Sequence, residues 1–590
     1  MTDTAAGTAA ELDGGTVEVV RNHLVSVAEQ MRRTLVRTAF NPVIYEVLDF
    51  GISVYDVHRR LMAEAAGITS FIGANDYALP KLLEHVPAER IGPGDVLLLN
   101  YPYWNSAHAY DAMLMMPVFA PASARTEPSA YLAVRAHWMD LGAKDPAYVL
   151  DSTDVHQEGL LFPGTRIVKG GVVDEEVVDL IRFNSRLPEQ TIGDFHAQYA
   201  ALRVGERELT AVWERFGLDV VEACVQRVME HGEQAARRAV AALPDGVWTA
   251  EDWLDDDGIT EEPLLMKVTV TIDGDQMTVD YNGGSGEVLG PVNVPFGSTE
   301  SMAKTAFKAI TTPDEPSNAG HYACLTVLAD PGTLFHATYP SATFTLWTTT
   351  VAFELFHKAV APALRELSAS SGSDEPGFMA LGRDSRTGRD FVISNNEGVG
   401  WGGSAAHDGA NAQMNPSQSV VRNTPIEVLE LRSTLFHERL ELIEDSAGAG
   451  THRGGVGLER RIRWLEDGEM LSMKKKTTTN PWALAGGHEP MTNRMTVFPG
   501  TPEERDVRMR RVSMRTGEVF VNRSAGGGGW GDPLSRDPLA VVDDVLDGYV
   551  SPAQARDVYG VLVAEDGGWS PTPARSAATP TPTEPPVTTP

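Results

Sequence analysis

A short polar segment carries two residues of the types that bind metals. Residues 105–120 read NSAHAYDAMLMMPVFA, in which His108 and Asp111 are three positions apart and a nearly continuous apolar run follows. An imidazole nitrogen and a carboxylate oxygen are common ligands of Zn²⁺, Mn²⁺ and Fe²⁺. In a chain with 15 histidines, the same spacing also fits surface polar groups or a helix cap, so the pair alone leaves both interpretations open.

The segments around this pair predict a hairpin that adds a second histidine. Two strands are predicted at about residues 112–119 and 130–137, with the turn-like PASARTEP between them. In an antiparallel pair, positions whose numbers sum to about 249 face each other, so Asp111 lies opposite His137 or Trp138. The two histidines and the aspartate then converge at one end of the hairpin. Such a set leaves coordination positions open for water or substrate.

Charge and cysteine content exclude several classes of protein. The net charge of −32 argues against nucleic-acid and anionic-membrane partners, which require a basic face. The two cysteines, Cys224 and Cys324, form no CxxC pair, which disfavours a disulfide framework or a thiolate zinc site. The N-terminus lacks the features of a signal peptide, and no apolar run reaches transmembrane length. We therefore expect a cytoplasmic location.

The predicted fold is α+β, with mixed, largely antiparallel sheets, helices and more than one domain. Residues 174–242 show helical spacing, and LLMKVTVTIDGDQMTVDYNGG predicts a hairpin. The predicted organisation runs in chain order: a disordered tail at 1–14, a catalytic region at 15–535 with sub-boundaries near 245 and 378, a small helical piece at 536–567, and a disordered Pro/Thr-rich tail at 568–590.

Motifs for phosphate binding and for nucleophilic catalysis are missing from the sequence. GTHRGGVG and SAGGGGWGDP are rich in glycine but match neither GxxxxGK[ST] nor GxGxxG, and no GxSxG segment occurs. The two glycine-rich segments are interpreted as tight turns or a subunit contact. Lys474–Lys476 are interpreted as a solvated strand face rather than a phosphate site.

Seven segments resemble, in chain order, landmarks of the hydantoinase B/oxoprolinase family over roughly residues 15–565. They are LDFGISVYDVHRRLMAEA, GDVLLLNYPYWNSAHAYDAMLMMPVF, AHWMDLGA, HQEGLLFPGTRI, GPVNVPF, PIEVLELRSTLFHERLELIEDSAGAGTHRGGVGLERR and SAGGGGWGDPLSRDPLAVVDDVLDGYVSPAQARDVYGV. The family includes B subunits of ATP-dependent N-methylhydantoinases and caprolactamases, part of 5-oxoprolinase, and the alpha subunit of acetone carboxylases. The resemblance implies a divalent Mn, Zn or Fe centre held by Asp49, His108, Asp111 and His137.

The resemblance also implies a reaction shared between two subunits. A hydantoinase A-type partner would bind ATP and phosphorylate the carbonyl oxygen of a hydantoin, lactam or oxoproline-type substrate. This chain, which shows no nucleotide motif, would complete the hydrolysis at its metal within a hetero-oligomer. Asp140 is a candidate for orienting a metal-bound histidine, and His156 and Glu158 are further polar residues near the site.

Two other functions stay open at this point. The first is a subunit of an acetone- or acetophenone-type carboxylase, in which an activated enol meets CO₂ or bicarbonate at the same metal. The second is a non-catalytic scaffold that binds a partner subunit. The family's NDPY, HLPD and DxGG segments are replaced here by NYPYW, HAYD and DLGAK, so the pocket differs from the family pattern more than the ligands do.

Overall fold

The computed structural model describes residues 13–121, 127–146, 148–345, 347–373, 377–418, 420–564 and 567–578. The chain divides into two units. The first extends to Ala363 and includes Met379–Asn395 and Ser417–Ser433, and the second consists of Leu364–Phe378, Asn396–Pro416 and the chain from Thr434 onward.

The first unit is built around a seven-stranded antiparallel sheet. Its strands are β1 (Phe50–Asp56), β2 (Leu61–Ala66), β3 (Val96–Leu99), β4 (Asp111–Val118), β5 (Ala130–His137), β6 (Pro163–Lys169) and β7 (Val172–Val173). They are arranged in the order β2-β1-β5-β4-β3-β6-β7. The predicted hairpin is present as β4 and β5, so it lies in the interior of the sheet.

Within the part of this unit that the structure describes there are ten α-helices. They are α1 (Gly14–Thr38), α2 (Pro42–Tyr45), α3 (Ala74–His85), α4 (Pro102–Asn105), α5 (Glu175–Asn184), α6 (Pro188–Phe216), α7 (Leu218–Ala241), α8 (Phe296–Thr311), α9 (Trp347–Val360) and α10 (Ile426–Arg432). α1 buries residues at helical spacing, among them Leu24, Met31 and Leu35, as expected for one apolar face against a sheet.

Helices cover both faces of the seven-stranded sheet. Leu114 and Val134 pack in the apolar cluster that includes α1 and α6, whereas Met113 and Ala133 pack in the cluster that includes α3. Every residue of β4 and β5 is consequently buried. This explains why the sequence shows continuous apolar runs there instead of the alternation of a half-exposed strand.

A second sheet of the first unit has four strands in the order β11-β10-β9-β8. Its strands are β8 (Gly246–Leu254), β9 (Leu264–Asp273), β10 (Gln276–Asp280) and β11 (Leu325–Leu328). β9 and β10 form the hairpin that the sequence predicted, and β10 pairs with β11 in parallel. Two further strands, β12 (Gly377–Asp384) and β13 (Arg389–Asn395), pair with each other.

The second unit is mainly antiparallel β-structure with short helices near its end. Its elements are β14 (Leu435–Leu442), β15 (Leu458–Trp464), β16 (Gly468–Met473), β17 (Arg494–Val497), β18 (Arg505–Asp506), β19 (Met509–Met514), β20 (Val519–Arg523), β21 (Val561–Val563), β22 (Trp569–Pro571), α11 (Pro538–Leu546), α12 (Pro552–Asp557) and α13 (Pro573–Ala578). Lys474, Lys475 and Lys476 are buried in this unit, so their interpretation as a solvated face was wrong.

The two glycine-rich segments lie backbone against backbone in the second unit. The N–H of Gly527 donates to the carbonyl oxygen of Gly455 at 2.9 Å. A Cβ atom at Gly454 would lie 1.8 Å from the carbonyl oxygen of Gly527. Glycine is therefore required at this point by close packing of two backbones, which is one of the uses expected of glycine.

The α+β fold class with largely antiparallel sheets is confirmed. The predicted sub-boundary near 245 lies inside the first unit, and the one near 378 coincides with a junction between segments of the two units. The predicted C-terminal tail begins at 568, yet β22 and α13 lie within its first residues. Residues 1–12 and 579–590 lie outside the described residues. Among the described helices, none is both long and apolar enough to cross a membrane.

Candidate metal centre

The end of the β4–β5 hairpin gathers two histidines around one carboxylate. Asp111 begins β4, His137 ends β5, and the two are direct partners in the register. Nδ1 of His137 lies 3.1 Å from Oδ1 of Asp111, and Nε2 of His108 lies 3.5 Å from Oδ2. One ligand atom from each residue can be chosen so that all lie within 4.8 Å of one another, and all three residues are buried.

Asp49 approaches the same place from the start of β1. Its Oδ2 lies 3.9 Å from Nδ1 of His137, and its carbonyl oxygen accepts the backbone N–H of His137 at 3.2 Å. Its side chain is 20% exposed, whereas those of His137 and Asp111 are 3% and 1% exposed. Asp49 thus borders the buried set on its more accessible side.

Both loops that lead to these residues contain a non-glycine residue in the left-handed region. Leu48, which precedes Asp49, has φ 66°, and Ser106, two positions before His108, has φ 61°. This conformation costs a residue with a Cβ roughly 1–2 kcal/mol. Residues in this conformation cluster at functional sites, where the surrounding structure holds them.

Aromatic rings enclose the histidines. The Phe344 ring stacks on His108 with centroids 4.9 Å apart and an interplanar angle of 1°. Tyr148 stacks on His137 at 6.2 Å, and its hydroxyl lies 3.4 Å from Nε2 of His108. These contacts fix the orientation of both imidazoles and restrict the access of water to them.

Glu158 holds the loop that supplies Phe344. Its Oε1 accepts the N–H groups of Thr343 and Phe344, at 2.8 and 3.1 Å, and the hydroxyl of Ser152 at 2.8 Å. Burial raises the pKa of Glu158 to about 7, although these hydrogen bonds work in the opposite direction. The sequence indicated Glu158 as a polar residue near the site. In the structure its hydrogen bonds position the backbone of Phe344.

The neighbouring groups set opposite protonation preferences for the two histidines. Burial lowers the pKa of His108 to about 4. Burial alone would lower the pKa of His137 as well, but the hydrogen bond and charge of Asp111, with the charge of Asp49, outweigh it and raise that pKa. His108 is therefore neutral at pH 7, which is the form of imidazole that binds metals.

The two carboxylates differ in the same way. Burial and the charge of Asp111 raise the pKa of Asp49 to about 7. Burial alone would raise the pKa of Asp111 too, but His108 and His137 outweigh it and lower that pKa. Asp111 is therefore the carboxylate that stays ionised between the two rings.

Asp140 makes its contacts away from the metal-ligating atoms. Its Oδ1 accepts the hydroxyl of Tyr110 at 3.0 Å and the N–H of Gly142 at 3.1 Å, and its Oδ2 accepts the N–H of Arg186. The polar group within reach of Nδ1 of His108 is the backbone N–H of Tyr110, at 3.2 Å. In a neutral ring this bond leaves the proton on Nε2, so a cation at Nε2 requires that proton to leave.

His156, the other polar residue near the site, is exposed and hydrogen-bonds to Tyr339 at 3.0 Å. The backbone behind His137 is held instead by Asn41, whose Nδ2 donates to the carbonyl oxygen of His137 at 3.1 Å. Asp194 in turn accepts the N–H groups of Phe40 and Asn41. These contacts involve residues 96 and more positions apart, and no short sequence pattern signals them.

The residues present fit a divalent metal. Oδ2 of Asp111 is a buried carboxylate oxygen that has no hydrogen-bond partner among the described residues, and an ion would satisfy it. Two imidazoles and one or two carboxylates suit Zn²⁺, Mn²⁺ or Fe²⁺ and leave open positions. Phe344 and Tyr148 complete the enclosure, and sequence reasoning missed both.

The fold and this site define an α+β protein with a buried His/Asp/His candidate metal centre. The chain belongs to the hydantoinase B/oxoprolinase family, which it matches over residues 13–533. It is 28% identical to the B-type subunit of a putative D-/L-hydantoinase from Pseudomonas sp. (strain NS671) over 576 residues, which cover 94% of this chain and 96% of that protein.

Two solved structures share the fold. The ATP-dependent caprolactamase from Pseudomonas jessenii superposes with a TM-score of 0.88 at 26% identity, covering 96% of this chain and 99% of that one. The nucleotide-free acetone carboxylase superposes with a TM-score of 0.86 at 17% identity, covering 96% and 82%. At that identity the second likeness concerns the fold alone.

Proposed function

We propose that this chain is the metal-bearing subunit of an ATP-dependent cyclic-amide hydrolase, and that it acts on a substrate phosphorylated by a hydantoinase A-type partner. The observation that carries the proposal is the buried set of His108, Asp111 and His137 at the hairpin end, with an unsatisfied carboxylate oxygen. Family membership and the names of the relatives, a hydantoinase subunit and an ATP-dependent caprolactamase, support the substrate class.

The chemistry explains why two subunits are needed. An amide carbon is a poor electrophile, and phosphorylation of its oxygen by ATP makes it more reactive. Water then adds to the imidate carbon, the C–N bond breaks, and the ring nitrogen leaves as an amine that carries both protons of the water. The acyl phosphate that remains is hydrolysed by a second water to a carboxylate and inorganic phosphate.

The residues of this chain have distinct roles in that scheme. His108, Asp111, His137 and Asp49 would hold the cation, which would act as a Lewis acid and lower the pKa of a water. Phe344 and Tyr148 hold the histidine rings and exclude bulk water. Asp49 is the most exposed member of the set, so we expect the activated carbon to approach from its side.

Reconstitution with an A-type partner tests the proposal. The chain alone should neither hydrolyse ATP nor open a cyclic amide, whereas the mixture should release phosphate and ring-opened product together. Carboxylated product that depends on bicarbonate, with no ring opening, would select the carboxylase function instead. Full activity of a mixture whose metal has been removed would select the scaffold function, in which this chain only binds its partner.

A further inference from the structure

Arg135 is a buried cation beside the candidate metal centre. It precedes His137 by two positions on β5, so both side chains lie on the sheet face that packs against α3. The residue is 0% exposed. Its Nε donates to Oδ1 of Asn75 at 3.1 Å, and the guanidinium lies 5.2 Å from the centre of the Phe71 ring.

Most of the hydrogen-bonding capacity of Arg135 is unused. Nη1 and Nη2 have no acceptor among the described residues, and both are shielded from solvent. A guanidinium has five N–H groups, and Nε uses one. Leaving a buried charged donor without a partner is costly. The two amino groups therefore need an acceptor that the described residues do not supply.

The charges nearby favour an anion as that acceptor. A guanidinium is not deprotonated in proteins, so the Arg135 side chain is a cation at neutral pH. If a divalent cation is bound by Asp49 and Asp111, the charges of these two carboxylates cancel the charge of the cation. The guanidinium then gives the site a net charge of about +1, which attracts an oxyanion.

We infer that the two free amino groups of Arg135 bind an oxyanion of the substrate, chiefly the phosphoryl group of the activated amide, and so hold its carbon beside the metal ligands. This inference rests on the proposed function for the identity of the anion. The planar guanidinium matches two oxygens of a phosphate or a carboxylate in a bidentate contact, which lysine cannot reproduce. Because both amino groups are enclosed, the anion must displace neighbouring side chains to reach them.

Anion binding to the isolated full chain, loaded with Mn²⁺ so that the site carries its net positive charge, tests the inference without a partner subunit. Inorganic phosphate, acetate and bicarbonate are titrated separately by calorimetry into the wild type, Arg135→Gln and Arg135→Lys. Arg166→Gln is the matched control, because Arg166 lies on β6 of the same sheet, is 38% exposed and pairs with Asp95. The wild type and the control should bind phosphate, and both Arg135 variants should bind it at least about tenfold more weakly.

Comparison of the three anions shows which kind of oxyanion the site binds. A higher affinity for phosphate than for acetate or bicarbonate supports the phosphoryl group as the ligand of Arg135. A higher affinity for acetate or bicarbonate indicates that the site binds a carboxylate. Absence of binding to the wild type, or equal binding in a folded Arg135→Gln variant, overturns the inference. If Arg135→Gln does not fold, the same comparison is decided by Arg135→Lys.

The reconstituted mixture separates this inference from the proposed function. If phosphate binding depends on Arg135 but the mixture opens no cyclic amide, the oxyanion site stands and the proposed reaction fails. If the mixture is active and both Arg135 variants bind phosphate as the wild type does, the oxyanion site is wrong and the proposed function is retained.

Discussion

Nδ1 of His137 lies 3.1 Å from Oδ1 of Asp111, directly across the last paired position of the β4–β5 hairpin. The two residues are 26 positions apart in the sequence, and the register of the hairpin alone brings them together. A shift of the register by one residue would turn one of the two side chains to the opposite face of the sheet. The candidate site therefore depends on the pairing of two strands that are buried along their whole length.

Removal of either histidine should remove the metal. His108→Ala and His137→Ala should each weaken metal binding by at least about 100-fold, which exceeds the usual effect of residues that only orient a ligand. His156→Ala is the matched control, because His156 is exposed and bonds to Tyr339. Elemental analysis after gel filtration measures the metal. Equal metal content in all three soluble variants would contradict the site.

Replacement of Glu158 should separate its charge from its positioning role. Glu158→Gln retains an oxygen for the N–H groups of Thr343 and Phe344, whereas Glu158→Ala removes it. We expect the alanine variant to bind metal about 10–100-fold more weakly, because the Phe344 ring loses its support against His108. The glutamine variant should bind metal like the wild type. Equal affinity in both variants would show that Phe344 is held by other contacts.

The same glutamine variant should change the dependence of stability on pH. The pKa of Glu158 is raised from 4.5 to about 7 in the folded chain, so the folded state keeps a proton that the unfolded state releases. The wild type should lose stability as the pH rises from 4.5 to about 7. One unit of pKa is worth about 1.4 kcal/mol, so this loss is on the order of 3 kcal/mol.

Denaturant unfolding at pH 5 and pH 8 measures this effect. The free energy of unfolding of Glu158→Gln, relative to the wild type, should increase between the two pH values. Glu89→Gln, at an exposed position, is the control and should follow the wild type. A difference between Glu158→Gln and the wild type that does not change with pH would show that Glu158 is ionised without penalty in the folded chain.

Local pattern was sufficient to predict part of this site and insufficient for the rest. The hairpin register follows from strand positions and a turn, so about 30 residues of sequence were enough to place Asp111 opposite His137 or its neighbour Trp138. Asp49 came from family resemblance, since its loop has no pattern that indicates a ligand. The contact of Glu158 with Phe344 joins residues 186 positions apart. Such a contact depends on how separate elements pack, and residue spacing does not encode it.

Two truncations should define where the C-terminal region stops contributing to stability. Composition predicted a disordered tail at 568–590, whose removal would not change stability. In the structure, β22 pairs with β21, and Nη1 of Arg575 donates to the carbonyl oxygen of Tyr559 at 2.8 Å. Deletion of 579–590 should leave the melting temperature unchanged, and deletion of 570–590 should lower it by about 2–4 °C for each kcal/mol lost. Equal melting temperatures for both truncations would show that β22 and α13 add no stability.

Asp111→Asn should uncouple the two half-reactions in the reconstituted mixture. The asparagine keeps the volume of the side chain but removes the negative charge between His108 and His137. The affinity of the site for a cation should therefore fall. The partner's ATP chemistry does not involve this residue in the proposed scheme, so phosphorylation should continue. Water should then cleave the O–P bond of the stalled imidate phosphate and return the amide, so phosphate release persists while ring-opened product falls by at least about tenfold. Both products are followed in one assay, with His156→Ala as the control for substitution near the site. Equal loss of phosphate and product would show that Asp111 acts in subunit contact or in the phosphorylation step. Ring opening by the wild-type chain without ATP would show that the chain is a self-contained hydrolase.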